Sequence, residues 1–154
     1  MKKYAIIGAL VVSVLGTLFH FLGDWIPIIL FPMNESIFEH MKLVLFPFLL
    51  YFFGSLPFLK ANRMDVFSSF VSAILLSMGI IILSYYTYSG MLGWNVDAIN
   101  IIIYYVAVLA GFILIYKKKT LFSFSNSVIF LLILFVFVVT FSYYPPNISF
   151  FKQK

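Results

Sequence analysis

The sequence contains no cysteine, and only 10% of its residues are charged, whereas soluble domains have about 25% charged residues. The absence of cysteine excludes disulfide bonds, thiolate metal ligands and a cysteine nucleophile. The chain has 154 residues, of which 64% are hydrophobic, and this is more apolar surface than a small soluble domain can bury. The composition therefore predicts an integral membrane protein.

Several common functional signatures are also missing. The sequence has no His-Glu-x-x-His, Gly-x-Ser-x-Gly or phosphate-binding loop motif. The formal net charge is +5, but the basic residues are dispersed in short clusters between apolar segments. Membrane topology explains such clusters better than a nucleic-acid-binding patch does. We therefore expect the lipid bilayer as the main partner and no nucleic acid.

Five apolar segments are long enough to cross a bilayer, which takes about 20 mostly apolar residues in a helix. The first lacks a small-x-small cleavage site and is long for a signal peptide, which favours a retained helix. Residues 23–33 contain two prolines and predict a broken or re-entrant segment, and Pro47 is expected to kink the second helix. We predict one all-α membrane domain over 1–154, a polytopic integral helix bundle with helices at 4–22, 34–55, 65–86, 97–116 and 125–143.

The distribution of Lys and Arg predicts the orientation of these helices, because cytoplasmic loops are enriched in positive charge. With a cytoplasmic N-terminus, seven basic residues lie inside and three lie outside. This favours a multi-pass cell-membrane protein whose C-terminus is outside. The same orientation brings most ionisable groups other than Lys and Arg to the outer boundary, namely Asp24, Glu35, Glu39, Asp97, His20 and His40.

Polar residues follow one face of the first helix at spacings of four, three and four: Ser13, Thr17, His20 and Asp24. A carboxylate one turn from an imidazole can fix its tautomer and raise its basicity, which suits a general base or a metal ligand. The structural alternative is a packing stripe at which Gly16 lets a neighbouring helix approach. His20 and Asp24 are candidate catalytic residues.

The start of the second helix carries the densest polar cluster. Glu35, Glu39 and Lys42 share a face, and His40 projects about 100° away from it. A capping box formed by Ser36 and Glu39, with helix-surface ion pairs, is the structural alternative. It does not explain a second glutamate and a histidine at a membrane boundary, where ionisable groups are costly. We predict catalytic roles for Glu35, Glu39 and His40, binding roles for Asn34 and Lys42, and metal ligation by His20, His40 and Glu39.

The fourth helix offers an opposing wall for such a site. Asp97, Asn100 and Tyr104 share a face with Gly111, and we assign the first three to binding. A polar entry turn followed by a packing groove explains the pattern equally well. Two further polar groups have structural interpretations. We expect interhelical hydrogen bonds from Ser68, Ser69, Ser72 and Ser77, and an outer aromatic belt of Tyr85, Tyr86, Tyr88, Trp94, Tyr143 and Tyr144.

The first third of the chain resembles a family of small prokaryotic multi-pass membrane proteins of unknown function. The resemblance implies that the positions concerned belong together, but it implies no activity. It rests on two motifs, Gly16-x-x-x-His20-Phe21-x-x-Asp24-Trp25 and Asn34-Glu35-Ser36-x-x-Glu39-His40-x-Lys42.

Three functions are compatible with these residues. The first is a membrane-embedded hydrolase or transferase for a lipid, lipid-linked or peptide substrate, with a divalent metal ion as the cofactor to test and Lys42 steadying an anionic group. The second is a carrier or channel subunit for a small solute, proton or metal ion. The third is a scaffold or accessory subunit, and the small-residue stripes are compatible with a homo-oligomer. Ionisable groups at one edge and the absence of a repeat favour the first.

Overall fold

The computed structural model describes residues 2–23, 25–26, 29–59 and 61–151. Within these ranges the chain is helical and has no strand, and five segments are long and apolar enough to cross a membrane. The predicted fold class, an all-α bundle with about five candidate membrane helices, is confirmed. The helices are α1 Lys2–Gly23, α2 Ile37–His40, α3 Lys42–Ser55, α4 Arg63–Leu92, α5 Asp97–Tyr116 and α6 Phe124–Tyr143.

The second candidate span, Ile37–Phe58, consists of α2, α3 and a short 3-10 turn. Its helix begins later than the predicted residue 34, because Ser36 is the N-cap and its hydroxyl accepts the Glu39 backbone N–H at 3.2 Å. Met41 separates α2 from α3 but keeps helical backbone angles, with φ −61° and ψ −26°. Helix α3 continues through Pro47, where the sequence predicted a kink, and the interruption between α2 and α3 lies at Met41.

The third candidate span is longer than the predicted 65–86, because no strong helix breaker occurs before Gly93. This glycine adopts φ +80°, and its N–H donates to the Ser89 carbonyl, which ends α4. The 30 residues of α4 extend over about 45 Å, which exceeds the hydrocarbon thickness of about 30 Å.

Contacts between antiparallel helices define two ends of the bundle. At the basic end, the Tyr4 hydroxyl lies 2.5 Å from Ser55 Oγ. At the acidic end, Thr17 Oγ1 lies 2.9 Å from the Tyr105 hydroxyl, and Ser142 Oγ donates to Glu39 at 2.8 Å. Among the described residues, the basic end carries Lys2, Lys3, Arg63, Asp65 and Lys117 to Lys119, and the acidic end carries His20, Glu35, Glu39, His40, Lys42 and Asp97.

Close approach of α1, α3 and α5 depends on Gly16. A Cβ atom at this position would overlap the Tyr104 hydroxyl and would lie 2.9 Å from the Leu43 carbonyl oxygen. The Tyr104 hydroxyl is within hydrogen-bond distance of the Val12 carbonyl at 3.1 Å and the Leu43 carbonyl at 3.4 Å. Pro47 has no N–H to donate to Leu43 four residues earlier, so Tyr104 compensates for the bond that the proline removes.

The serines of α4 form fewer interhelical bonds than expected. The Ser68, Ser69 and Ser72 hydroxyls donate to carbonyls four residues earlier in the same helix, at 2.7 to 3.0 Å. Ser72 Oγ also accepts the N–H of Leu121 at 2.9 Å. Only Ser77 among the four donates to another helix, to the Ala107 carbonyl of α5 at 2.8 Å. Intrahelical carbonyls are always within reach, and they compete with those of the neighbouring helix.

Candidate functional site: a cavity at the acidic end

A cavity of about 720 Å³ lies at the acidic end of the bundle. Its wall is formed by the last turns of α1, the second half of α4, the segment before α2, the first turns of α2 and α3, and the first half of α5. The fold therefore brings the two halves of the predicted site to one space. The predicted residues that line it are His20, Glu35, His40, Asp97, Asn100 and Tyr104.

The His40 ring is oriented by the backbone carbonyl of Ser36, four residues earlier. Its Nδ1 lies 2.8 Å from the Ser36 carbonyl oxygen, which can only accept, so Nδ1 carries the hydrogen. The other ring nitrogen, Nε2, lies 3.3 Å from Glu35 Oε2. An imidazole held in this way presents Nε2 either as the protonated partner of a carboxylate or as a lone pair for a metal ion.

His20 completes a group of three. Its ring centroid lies 5.2 Å from that of His40. One ligand atom from each of His20, Glu35 and His40 lies within 4.8 Å of the other two. Nδ1 of His20 is buried and has no hydrogen-bond partner among the described residues. A buried polar atom without a partner costs about 1–3 kcal/mol, so this imidazole is available for a bond that the described residues do not supply.

The donor set and its dimensions fit a divalent transition metal. Two imidazoles and one carboxylate form a ligand set found in catalytic zinc sites, in which a fourth position stays open. The ligands of a tetrahedral ion with bonds of about 2.1 Å lie roughly 3.4 Å apart. The distance between His40 Nε2 and Glu35 Oε2 is 3.3 Å, and a His20 ring nitrogen lies within 4.8 Å of the ligand atoms of Glu35 and His40.

Glu35 is ionised under ordinary conditions. The hydrogen bond from the His40 imidazole holds the pKa of the Glu35 carboxyl below its usual value, and partial burial opposes this effect. Its side chain is 48% exposed, whereas that of His40 is 30% exposed. The site is therefore partly open to solvent and contains a carboxylate rather than a carboxylic acid at neutral pH.

Glu39 and Lys42 lie outside the group of three. Lys42 Nζ is 2.5 Å from Glu39 Oε2, and the two side chains are 0% and 1% exposed. Glu39 also accepts the Met33 N–H at 2.7 Å and the Ser142 hydroxyl at 2.8 Å, and Lys42 donates to the Phe31 carbonyl at 3.3 Å. This pair fastens the segment before α2 to the bundle, so neither group is free to bind a metal or an anion from the cavity.

Two other predicted residues are placed apart from the cavity wall or cannot be placed. Asn34 Oδ1 accepts the Ser36 N–H at 2.9 Å and shapes the turn that leads into α2. Asp24 lies outside the residues that the structure describes.

The α5 wall is a network of amides. Asn100 Nδ2 donates to Asn95 Oδ1 at 2.8 Å, and Asn95 Nδ2 donates to Asp97 Oδ1 at 3.2 Å. The Tyr88 hydroxyl, from the last turns of α4, bonds to both asparagines. The network fixes the start of α5 and leaves the exposed Asp97 carboxylate at the cavity.

Four polar residues that were not predicted as part of the site also line the cavity, namely Thr17, Tyr85, Tyr105 and Ser149. Tyr105 follows Asp97 and Ile101 at intervals of four residues. This helical spacing could have identified it, but Tyr104 was chosen for the face instead. Tyr85 was expected in the outer aromatic belt, but it is only 7% exposed and lines the cavity. Ser149 could not be found, because no local pattern predicts the return of the C-terminal segment.

That segment packs on the outside of α2. A 3-10 turn over Ser149–Phe151 places the Phe151 ring 4.6 Å and the Phe150 ring 5.9 Å from the ring of Phe38. Phe151 also contacts Phe141 of α6, with the ring centroids 5.1 Å apart. The aromatic cluster covers the opposite side of α2 from His40 and holds the N-terminal end of the second span against α6.

Comparisons with known proteins give no activity. The chain matches no curated protein and no solved structure. The sequence model of one family, described as a family of unknown function, matches residues 1–154, which is the whole chain. The chain therefore belongs to this family, DUF6512.

Proposed function

We propose that this protein is a membrane-embedded, metal-dependent hydrolase whose ion is bound by His20, Glu35 and His40. The observation that carries the proposal is the convergence of these three ligand groups within 4.8 Å on the wall of a 720 Å³ cavity. Catalytic metal sites combine few protein ligands with an open position and room for substrate. A buried structural ion would not need such a cavity.

A bound divalent ion would supply Lewis-acid polarisation of a substrate oxygen and a water molecule of lowered pKa. The residues of the chain have separate tasks. His40 is held by the Ser36 carbonyl, so its orientation is fixed before the ion arrives. Asp97 lines the same cavity, and its exposed carboxylate is the proposed general base, which would accept a proton from water and pass it to the leaving group. Asn100 is the proposed contact for polar atoms of the substrate on the α5 wall, whereas the Tyr104 hydroxyl is engaged by the Val12 and Leu43 carbonyls.

The closed interior below the cavity favours an enzyme over a carrier. Val12, Val44 and Val108, from α1, α3 and α5, are all 0% exposed. Between them and the cavity, the Tyr104 hydroxyl is bonded to carbonyl oxygens of α1 and α3. A transport path would need polar groups through this layer. A site that is closed toward the opposite side of the bundle is compatible with a hydrolase.

We further propose that the acidic end faces the outside of the cell. The support is the concentration of Lys and Arg at the basic end, which is typical of cytoplasmic loops. A reporter enzyme fused within Lys117–Lys119 should then be active only in the cytoplasm, and one fused after residue 151 only outside. The reverse pattern would contradict this orientation.

Hydrolase activity is tested on purified protein in vesicles with chromogenic esters, amides and phosphoesters. Chelation should abolish turnover of at least one class, and zinc should restore it. Glu35→Gln and His40→Ala should reduce turnover to background, because each removes a ligand. Asp65→Asn, a change at the exposed basic end, is the control and should have no effect. Turnover that survives Glu35→Gln, or no metal-dependent turnover in any class, would contradict the proposal.

A further inference from the structure

The cavity is open sideways between α1 and α5. These helices are in contact from Gly8, which faces Phe112, up to the hydrogen bond between Thr17 and Tyr105. Beyond that bond the cavity separates them, and its rim includes Phe21 and Ile101. These two side chains are 63% and 55% exposed, so the wall of the cavity continues into the lateral surface of the bundle.

The opening lies along the first residues of the candidate span Asp97–Tyr116, where such a span meets the boundary of the bilayer. Asp97 and Tyr105 are eight residues apart on α5, so the opening extends about 12 Å along the helix. It contains the carboxylates of Glu35 and Asp97, and the exposed side chains of Phe21 and Ile101 give it an apolar lateral side. A molecule that fills it must have a polar group at one end and an apolar portion that can lie among lipid chains.

The charges that line the cavity limit the kind of polar group that a bound molecule can carry. None of the described residues that line it is Lys or Arg, and its acidic groups are Glu35 and Asp97. Lys42 is buried in its pair with Glu39. One divalent ion would balance the two carboxylates and leave no positive charge for a phosphate or a free carboxylate. An uncharged carbonyl group is the best match.

We propose that the substrate is an uncharged acyl ester or amide of a lipid, whose carbonyl group lies at the ion and whose acyl chain leaves between α1 and α5. This inference rests on the proposed function. In the reaction, water adds to the carbonyl carbon, and the bond to the alcohol oxygen or amine nitrogen breaks. The fatty acid and the alcohol or amine are released, and the proton that water loses goes to the leaving group.

The test uses zinc-loaded protein in phosphatidylcholine vesicles with a monoacylglycerol that carries a photoactivatable diazirine on its acyl chain. Cross-links should map to Phe21, Ile101 and Tyr105, and an excess of unlabelled monoacylglycerol should remove them. Ile101→Trp should reduce labelling of the Phe21 and Tyr105 sites at least about tenfold, a loss of about 1.4 kcal/mol in binding. Ile102→Trp is the matched control, because Ile102 is exposed but does not line the cavity.

Labelling confined to the outer face of α6, at Ile133 and Val136, would overturn the inference, as would equal labelling of the two tryptophan variants. Stronger cavity labelling by a lysophosphatidic acid of the same chain length would also overturn it. Zinc content is measured on the same samples. Zinc without cavity labelling would remove this substrate class and leave the hydrolase proposal intact. Cavity labelling of a protein that contains no zinc would support the binding of an amphiphilic molecule and refute the metal site.

Discussion

Breaking the buried pair of Glu39 and Lys42 should cause a large loss of stability that is separate from any loss of metal binding. Lys42→Met removes a donor 2.5 Å from Glu39 Oε2 and leaves a carboxylate that is 1% exposed. Breaking a buried ion pair by removing one partner costs about 3–5 kcal/mol. Two donors to Glu39 remain, the Met33 N–H and the Ser142 hydroxyl, so we expect a cost at the low end of this range, about 3 kcal/mol.

The assay is unfolding by SDS titration in mixed micelles, for Lys42→Met, Glu39→Gln and the double variant. The double variant should be more stable than Lys42→Met by at least about 1 kcal/mol, because no unpaired charge remains. Zinc content should be unchanged in every variant that stays folded. Loss of zinc from Glu39→Gln at wild-type stability would refute the structural role of Glu39 and would restore its predicted role as a ligand.

Three further substitutions test the packing around the cavity by the same unfolding assay. Gly16→Ala should cost about 1–3 kcal/mol, because the new methyl group overlaps the Tyr104 hydroxyl, and Gly79→Ala, where the space is open, should cost nothing. Tyr104→Phe should cost about 1 kcal/mol by removing the bonds to two carbonyls. Ser77→Ala should cost about 0.6 kcal/mol by removing the hydrogen bond to Ala107. A loss above about 2 kcal/mol would contradict this modest contribution.

The helices were predictable because long apolar segments bounded by polar residues have few alternatives in a bilayer. α5 has the predicted limits of 97–116, and α6 begins one residue before its predicted start at 125. The error in α4 came from interpreting residues 87–92 as a loop on composition. In fact, tyrosine, threonine and serine continue a helix until Gly93, at φ +80°, ends it.

The candidate site was partly predictable for a different reason. Helical periodicity showed that Asp97, Asn100 and Tyr104 share a face, and all three line the cavity. The same periodicity did not show that Glu39 turns to Lys42 while Glu35 turns to His40, because both choices satisfy the spacing. Burial decides between the two glutamates. Glu39 lies inside the bundle, where its carboxylate needs a full set of hydrogen-bond donors, and the more exposed Glu35 is left for the cavity.

The resemblance noted in the sequence covered only the first third of the chain, whereas the family match covers all of it. The tertiary contacts agree with the wider extent, because the first two spans form only part of the cavity. Tyr85 of α4 and the start of α5 complete its wall. Residues on later helices could be assigned to the site only after the fold had brought them together.

The central claim is that His20, Glu35 and His40 bind one divalent metal ion. The most direct measurement is elemental analysis of the protein purified through a tag without histidine, beside a His20→Ala/His40→Ala variant of equal folded content. We predict about one ion of zinc or a similar metal per chain in the wild type, and none in the variant. A wild type without metal, or equal metal in both proteins, would contradict the claim and would leave His40 and Glu35 as an ion pair.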